Sequence, residues 1–514
     1  MGSKHAARKM LPMSWIACGL RRTLHRPLPP ATHPARPKSW TTALCTLSLL
    51  MAGCAHQPDS HVRLTQPDVP AAWSAPGVAT PGLQTEAAAA WWLNFQDPEL
   101  AALVARALQA NTTVLGAQAA LRQARALRDV AVAGLQPTLG SSASATHGTR
   151  GGDSTGNNFQ VGLDASWELD FFGARRSAVN TSEATARASA ASLGDVQVSI
   201  AAEVALSLIT LRSGQARLAI AQANLANQLQ TLQLTDWRAQ AGLLSTLEVE
   251  QARAASAQTQ AQLPALQTAI AQTGHALAVL TGQPPAALAA LVATPAPVPQ
   301  ARSDLALSLP AETLRQRPDV RAAEQQVLAA AGRVAQADAA RYPSFRLGGS
   351  LGLNALTLGA LSSTAALAST LLAGVNWTLW DGGAARAQVQ AQQAALEQAQ
   401  ASYRGTVLTA LKDVEDALVA LRGDRERAAR LQQAATAATQ AARLARQRYD
   451  SGLVDFQTVL ETQRTQLSTQ DSLATATADI SADHVRLFKA LGGGWTPDEQ
   501  PAQTPSLEPG PKLP

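Results

Sequence analysis

The sequence repeats itself at a constant offset of 210 residues, and this internal repeat limits the fold more than any other feature. Trp167 corresponds to Trp377, and the match continues downstream over more than a hundred residues. Upstream the offset is 206, where Pro137 corresponds to Pro343, so we expect a loop four residues longer in the second copy. One offset held over such a length does not arise by chance, and it predicts two copies of one structural unit.

The repeat and its flanking segments predict six parts of the chain. They are a signal peptide with an N-terminal extension (1–53), a Pro-rich lead (54–96), repeat one (97–285), a Pro/Ala linker (286–310), repeat two (311–495) and a Pro-rich disordered tail (496–514). Each repeat is expected to contain a helix, then a β-hairpin, then a long antiparallel helical hairpin, which makes the fold class α+β. The first helix is expected over 98–133 in repeat one and 319–340 in repeat two.

Alternating apolar and polar residues predict the β-hairpins. From Phe159 to Phe171 every second residue is apolar, and the residues between them are polar or glycine. Weaker alternation before this segment, and an equivalent pair in repeat two, predict four strands of about ten residues. Such strands fit either a sandwich surface or a membrane barrel. Because the smallest barrels have about eight strands, a barrel would need several copies of the chain.

Long segments without proline predict the helical hairpins. No proline occurs in 174–263, and a helix over 173–242 would be on the order of 100 Å long. Leucine recurs every seven residues from Leu211 to Leu232, which predicts packing along a coiled-coil seam. We expect the chain to turn at Gly242 and Gly452, because helix ends favour a residue with positive φ.

The positive charge of the chain belongs to its N-terminus. The sequence has 42 Lys and Arg against 37 Asp and Glu, a net charge of +5, but residues 1–53 hold eight basic residues and no acidic one. Without them the chain is slightly acidic, so no basic stripe is left for binding nucleic acid. The apolar run Ala43–Ala52 follows basic residues and is too short to span a bilayer, which is typical of a signal peptide.

The signal-like segment ends in Ala52-Gly53-Cys54, which resembles a bacterial lipobox. In such a motif the cysteine is fatty-acylated, for example with palmitate, and becomes the first residue of the mature chain. Cys18 and Cys45 would leave with the signal, so the mature chain would have no disulfide, thiol nucleophile or Cys metal site. Ala55 follows instead of Asp, which favours the outer membrane. The alternative is an ordinary apolar stretch that ends in cysteine.

The sequence offers no arrangement typical of an enzyme. The histidines of the expected mature chain are scattered, at His56, His61, His147, His275 and His484. They do not have the spacing of a zinc site, and a Walker-type phosphate loop is absent. We therefore predict no enzymatic activity, no metal and no cofactor.

Six short motifs follow one another along the chain. They are Trp91–Pro98, Ser166–Asp170, Arg317–Val320, Trp380–Gly383, Gly452–Asp455 and Lys489–Trp495. Together they resemble the TolC-like outer-membrane efflux channels, and among these the lipidated subgroup that serves RND-type pumps. The similarity covers about residues 90–495. One departure is Asn111-Thr112-Thr113, where members of the family commonly have an Asn-Pro pair.

The resemblance implies a homotrimer in the outer membrane. Three chains would form a twelve-stranded β-barrel, continuous with a periplasmic α-helical barrel, while 54–96 and 286–310 would form an equatorial belt. The protein would be a passive exit channel for drugs or other small molecules. Its partners would be a periplasmic adaptor, an inner-membrane RND-type pump and outer-membrane lipid. The alternative is a lipidated periplasmic adaptor or a coiled-coil structural protein of an export system, which the duplicated units argue against.

The resemblance also implies a gate at the periplasmic ends of the long helices. Carried over residue by residue, its members are Tyr449, Gln457, Glu461, Arg464 and, from repeat one, Glu248. Relatives can carry leucine in place of Gln457, and Thr458, the counterpart of Glu248, is uncharged. Glu461 and Arg464 are spaced to pair on one helix, and a ring of three Glu461 carboxylates would favour cations. The alternative for each residue is an ordinary solvated position on a helix.

Apolar residues beside the two expected turns predict a docking site for the adaptor. The residues are Gly242, Leu243, Leu244, Gly452, Leu453 and Val454. An exposed apolar tip next to a turn needs a partner to cover it.

Overall fold

The computed structural model describes residues 69–70, 73–74, 90–150, 154–301, 314–493 and 495. The expected signal peptide (1–53), the expected lipidation site Cys54 and the expected tail (496–514) lie outside the described residues. Residues 302–310 of the predicted linker lie outside them as well.

The described residues form long helices and one sheet, whose elements we number in chain order. The helices are α1 Pro98–Ala110, α2 Thr112–Ala133, α3 Ala174–Gln240, α4 Thr246–Leu280, α5 Ala289–Ala293, α6 Pro318–Ala339, α7 Ala384–Asp450 and α8 Phe456–Ala490. The strands are β1 Thr138–Arg150, β2 Ser154–Leu169, β3 Ser344–Ala355 and β4 Leu367–Asn376. Short 3-10 helices lie at Trp91–Phe95, Pro285–Leu288, Leu358–Ser362 and Thr364–Ala366. The order helix, β-hairpin, helical hairpin therefore occurs twice, as predicted.

The two helical hairpins have the same dimensions and the same turns. α3 and α7 each have 67 residues, and α4 and α8 each have 35. The turns contain Gly242 (φ 75°) and Gly452 (φ 73°). At each turn the next residue, Leu243 or Leu453, donates its backbone N–H to a carbonyl five residues back at 2.8 Å. This left-handed glycine cap is the one predicted from the sequence.

The helix expected over 98–133 is two helices, because Asn111 interrupts it with an extended backbone. The Asn111 side chain accepts from the N–H groups of Thr113 (2.8 Å) and Val114 (3.3 Å), and its amide nitrogen donates to the carbonyl of Leu280 (2.9 Å). Asn111 thus caps α2 and ties it to the end of α4. Thr112 fills the first helical position, which proline often takes, without loss of the cap.

The predicted leucine seam is right only in its first part. Leu208 and Leu211 are fully buried, whereas Leu229 is exposed. Farther along α3 the buried positions are instead Ala221, Asn224, Gln228, Thr231 and Thr235. The helix therefore meets its neighbour in the chain through small and polar side chains there, and the leucine stripe is left partly open.

The four strands form one antiparallel sheet in the order β1-β2-β3-β4. β2 pairs with β3, with Trp167 opposite Leu347, so the hairpins of the two repeats join edge to edge. The strands have 13, 16, 12 and 10 residues, so three of them are longer than expected. Residues 356–366 connect β3 to β4, against 151–153 in the first hairpin. The loop of repeat two is longer, as predicted, but by eight residues instead of four, because the paired strands of repeat two are shorter.

One face of this sheet is apolar and the other is polar. Because paired residues have the same parity in all three ladders, the odd-numbered residues share one face. That face carries Leu139, Val161, Leu163, Trp167, Leu347, Leu351, Leu371 and Val375, whose exposed fractions run from 36% at Leu347 to 81% at Leu371. The opposite face carries Ser142, Gln160, Asp164, Ser350 and Thr370. A single chain therefore exposes a continuous apolar surface of the kind that normally contacts a partner or lipid.

The two repeats anchor their hairpins in the same way. Trp167 donates its indole N–H to the carbonyl of Leu135 at 2.9 Å, and Trp377 donates to the carbonyl of Arg341 at 3.2 Å. The tryptophans are related by the 210-residue offset and the carbonyls by the 206-residue offset. The change of offset therefore lies inside the hairpin, between the two ends of this hydrogen bond.

The largest apolar core lies where the lead enters the body of the protein. Trp91 is fully buried and stacks on Phe488 of α8, with ring centroids 5.2 Å apart. Leu100, Leu208 and Leu277 complete the contact between α1, α3 and α4. This core joins the base of the first helical hairpin to α8 of the second.

Candidate functional site at the helix tips

The far ends of the two helical hairpins carry the residues predicted to dock a partner. Leu243 and Leu453 have exposed fractions of 72% and 74%, while Leu244 and Val454 are half-buried. A Cβ at Gly242 or Gly452 would meet nothing within 4 Å, so their positive φ is the reason for glycine there. The chain thus presents two equivalent leucine-bearing tips, one on each repeat.

A carboxylate caps the first turn of α4 and of α8, but it comes from a different position of the cap in each repeat. The backbone N–H and the hydroxyl of Ser245 both donate to the Glu248 carboxylate, the former at 3.0 Å. In repeat two the backbone N–H and the hydroxyl of Thr458 both donate to the Asp455 carboxylate, the former at 2.9 Å. Ser245 corresponds to Asp455 and Glu248 to Thr458, so one repeat carries its charge on the third helical residue and the other on the cap itself.

These hydrogen bonds keep the two carboxylates ionised. Donation by Ser245 lowers the pKa of Glu248, and donation by Thr458 lowers the pKa of Asp455. Glu248, predicted to belong to the gate, therefore also holds the start of its own helix. The loss of charge at Thr458 is balanced by the gain at Asp455, three residues away.

Tyr449 lies in a small cluster that joins the two hairpins near their tips. Its ring is 5.5 Å from that of Phe456, and the Arg238 guanidinium lies 5.0 Å from its centroid. Arg238 also forms an ion pair with Asp450 at 3.4 Å, which links the end of α3 to the end of α7. The Tyr449 hydroxyl is buried and has no hydrogen-bond partner among the described residues.

Arg238 and Asp450 were not singled out from the sequence. The counterpart of Arg238 is Arg448, but the counterpart of Asp450 is Gln240. A difference in charge between equivalent positions of the two repeats was the available signal for a contact between the hairpins.

The other predicted gate residues lie together on the exposed side of α8. Gln457, Glu461 and Arg464 are all exposed and are spaced to share one helix face, opposite the buried Val459 and Gln463. Within the described part of the chain, Glu461 and Arg464 do not form the local ion pair that their spacing allows. The structure does not bring them to Tyr449, which packs on the other side.

A polar seam joins the first hairpin to the second behind these residues. Arg217 bonds Asp471 through two hydrogen bonds, Asn224 donates to Gln470 at 3.0 Å, and Gln463 donates to Thr231 at 3.2 Å; these pairs connect α3 with α8. The seam was missed because polar residues at buried helix positions give no apolar periodicity.

The motif Arg317–Val320 is a structural cross-link far from the tips. The Arg317 guanidinium makes two hydrogen bonds to Asp319 (3.0 and 2.7 Å), an ion pair with Asp413 (3.3 Å) and a bond to the carbonyl of Ala490 (2.9 Å). One buried side chain thus joins three helices: the start of α6, the middle of α7 and the end of α8.

The geometry argues against a nucleophilic serine and against a metal site in the described part of the chain. Gly348–Gly352 has the spacing Gly-x-Ser-x-Gly, but it lies inside β3 rather than on a strand-to-helix turn, so it is not a nucleophile elbow. Among the residues that the structure describes, no group of three or more His, Cys, Asp or Glu side chains could hold a metal ion.

Comparison with known proteins identifies the family. The model of the family described as outer membrane efflux protein matches twice, over residues 103–283 and 309–493.

The chain belongs to the outer membrane efflux protein family.

Several members of the family resemble this efflux protein over most of their length. The pyoverdine export outer membrane protein OpmQ of Pseudomonas putida is 33% identical over 468 residues, which cover 88% of this chain and 97% of the relative. The solvent efflux pump outer membrane protein SrpC of Pseudomonas putida is 32% identical, covering 78% of this chain and 87% of the relative.

Solved channel structures have the same fold. The outer-membrane channel OprN matches with a TM-score of 0.78 at 35% identity, covering 84% of this chain and 98% of that chain. The outer membrane protein VceC of Vibrio cholerae matches with a TM-score of 0.74 at 28% identity, covering 79% and 98%. The resemblance to TolC-like channels is therefore confirmed. This efflux protein is an outer-membrane channel component of an efflux pump and not an enzyme, and the adaptor alternative is not favoured.

Proposed function

We propose that this efflux protein works as a lipid-anchored homotrimer, the exit channel of a tripartite pump that conducts drugs or other small organic molecules to the exterior. The single observation that carries the proposal is the exposed apolar face of the four-stranded sheet. Relatives are named for the export of pyoverdine, solvents and toluene, which are chemically diverse. A water-filled channel suits this range, because substrate choice can then be made by the pump.

The sheet supports a barrel built from several chains. β1 and β4 are the edges of the sheet within one chain, so each leaves a row of backbone groups to pair with another strand. Three copies supply twelve strands, above the minimum of about eight. With odd-numbered residues outward, the barrel has an apolar band toward lipid and a polar lumen. Strands of this length, tilted in the barrel, match the roughly 25 Å apolar height of outer-membrane barrels.

The helical hairpins support a periplasmic tunnel that narrows at its end. α3 and α7, with 67 residues each, extend on the order of 100 Å. In a trimer the exposed face with Gln457, Glu461 and Arg464 lines the opening, and three Glu461 carboxylates make it selective for cations. Tyr449, Glu248 and the seam behind them hold the helices that carry this ring.

The tips support docking of the adaptor. Leu243 and Leu453 place apolar side chains on the outermost turns, where only a partner protein can bury them. Three chains present six such tips, and the flanking Gly242, Leu244, Gly452 and Val454 complete the contact. The inner-membrane pump supplies the energy through this adaptor.

The N-terminal sequence supports a lipid anchor. Cys54 follows a signal-like segment and precedes the Pro-rich lead to the body, so acylation at this residue holds the chain at the outer membrane.

A deletion strain tests the function. We expect it to become hypersensitive to several dyes, detergents or antibiotics, and expect the plasmid-borne chain to restore growth. The protein is expected in the outer-membrane fraction as a trimer. A monomer in the soluble fraction, or a deletion without any change in susceptibility across the panel, contradicts the proposal.

A further inference from the structure

The connection between β3 and β4, residues 356–366, is uncharged and rich in leucine and alanine, which the function as a channel does not explain. It contains leucine, alanine, glycine, serine and threonine and no charged residue. The connection between β1 and β2, residues 151–153, has the sequence Gly-Gly-Asp and follows Arg150, the last residue of β1. Both connections lie at the end remote from the long helices, because α2 enters β1 and β2 leads into α3 at the other end. We call residues 356–366 the apolar loop.

The apolar loop folds onto the apolar side of the sheet. Ala355 is odd-numbered and pairs with Phe159, so its side chain belongs to the apolar face. It is only 9% exposed, although Leu351 on the same strand and face is 51% exposed. The two 3-10 helices of the loop pack against the end of β3, and Leu358–Ser362 also contacts β2. We attribute the burial of Ala355 to the loop, which places the loop on the apolar side of the sheet.

The loop also presents new apolar surface of its own. Leu356 and Leu358 have exposed fractions of 72% and 69%, while Ala366 at the end of the loop is buried. The strand that follows begins at Leu367, which is again exposed on the apolar face. The uncharged, leucine-bearing surface therefore continues past the ends of β3 and β4 without a charged residue.

We propose that the apolar loop is a lipid-contact anchor, which inserts Leu356 and Leu358 among lipid acyl chains at the far edge of the barrel's apolar band. The inference rests on the proposed function, since it requires the apolar face of the sheet to contact lipid. Continuity with that face is the argument for lipid as the occupant. A loop that closed the lumen would have to cover the polar side of the sheet instead.

Fluorescence quenching in vesicles tests the assignment. Three single variants, Leu358→Cys, Leu371→Cys and Gly156→Cys, are labelled with a thiol-reactive nitrobenzoxadiazole dye and reconstituted in phosphatidylcholine vesicles. Leu371 reports the middle of the apolar face, and Gly156 reports the polar hairpin tip, where a Cβ meets nothing within 4 Å. The parent chain, labelled in parallel, gives the background from its own cysteines. Quenching is compared between dibrominated lipid and aqueous iodide.

The three labels separate the possible outcomes. The anchor predicts that the label at 358 is quenched several-fold more strongly by brominated lipid than by iodide, as at 371, with the reverse at 156. Quenching at 358 by iodide alone overturns the anchor. Weak quenching by both agents at 358 also overturns it, because protein from a second copy then covers the loop. If the label at 371 is not quenched by lipid, the proposed barrel itself fails.

Discussion

The guanidinium of Arg217 forms two hydrogen bonds with the carboxylate of Asp471, at 2.7 and 3.1 Å, and so joins the first helical hairpin to the second. Both side chains are about one-third exposed, at 37% and 36%, so water screens the pair. The two parallel hydrogen bonds fix the relative orientation of α3 and α8, whose other polar contacts in this seam are made by neutral side chains. Hydrogen bonds of this seam therefore join the hairpins beside the apolar contact that Ala252 and Ala255 make with Phe456 and Leu460.

Breaking this pair should weaken the contact between the hairpins. We expect a double-mutant cycle of Arg217→Ala and Asp471→Ala to give a coupling of about 0.5–1 kcal/mol in the free energy of unfolding, measured by guanidinium titration with circular dichroism. The exposed pair Arg253–Glu250 serves as control, where Arg253→Ala should change the free energy by less than about 0.5 kcal/mol. Fully additive effects of the two variants would contradict a direct contact in the assembly.

The charge of the proposed opening should depend on Glu461. We expect Glu461→Gln to lower the preference for cations and to change the single-channel conductance in planar bilayers, because a ring of carboxylates attracts cations. Glu250→Gln removes an exposed carboxylate on α4 and should leave both quantities unchanged. If Glu461→Gln leaves the channel as it was, the narrowest point lies at other residues.

The tip leucines should be required for transport but not for assembly. We expect the double variant Leu243→Asp, Leu453→Asp to form trimers in the outer membrane and yet fail to restore drug resistance in a deletion strain. A charge at these exposed positions disfavours an apolar contact without disturbing the core. The matched control is Gln233→Asp, because Gln233 is exposed on α3 two turns before the end of that helix. This variant should retain full resistance. Normal resistance of the double variant would place the docking site elsewhere.

The two helix caps should lose strength in acid. The pKa of Glu248 and of Asp455 is lowered in the folded protein, so each carboxylate stabilises its helix start above its unfolded-state pKa and stops doing so as pH falls through the folded-state pKa. We expect the hydrogen-exchange protection of the Thr458 amide to be present at pH 7 and to be lost only as the pH falls below the ordinary aspartate pKa of about 3.9.

A neutral cap supplies the control for this pH dependence. Asp455→Asn should flatten the pH dependence at Thr458 and leave the dependence at Ser245 in the other repeat intact. Equal pH profiles in the parent and in Asp455→Asn would show that another group is responsible.

Acylation should depend on a single cysteine. We expect intact mass spectrometry of the mature protein to show a fatty-acylated residue at Cys54, and we expect Cys54→Ser to abolish it. Cys45→Ser, inside the expected signal segment, should leave acylation unchanged. Acyl chains that persist in Cys54→Ser would assign the anchor to another residue.

Much of the fold could be predicted because the two repeats of the sequence can be compared with each other. Gly242 and Gly452 identify equivalent turns, and the period-two pattern around Trp167 assigns each side chain to one face of the sheet. Such features are local: a positive φ or an alternation is decided within a few residues of sequence.

The features that sequence did not predict depend on contacts between distant segments. Asn111 ends α1 because its side chain can bond both α2 and the carbonyl of Leu280, which lies 169 residues away. The polar seam of Thr231 and Gln463 has the same cause. Helices with small side chains can approach closely, and the approach satisfies polar groups that a periodicity argument assigns to solvent.

The exchange between Ser245/Glu248 and Asp455/Thr458 has a consequence for symmetry. The capping hydrogen bonds are alike in the two repeats, but the carboxylate belongs to the third helical residue in one repeat and to the cap residue in the other. In each repeat the carboxylate accepts from the hydroxyl of the other residue of the pair, so the two charges lie in nearly equivalent places although different residues supply them. An assembly of three chains would then present six tips that are alike in shape and in charge, and a partner that touches every tip could not use these carboxylates to distinguish odd from even positions around the ring.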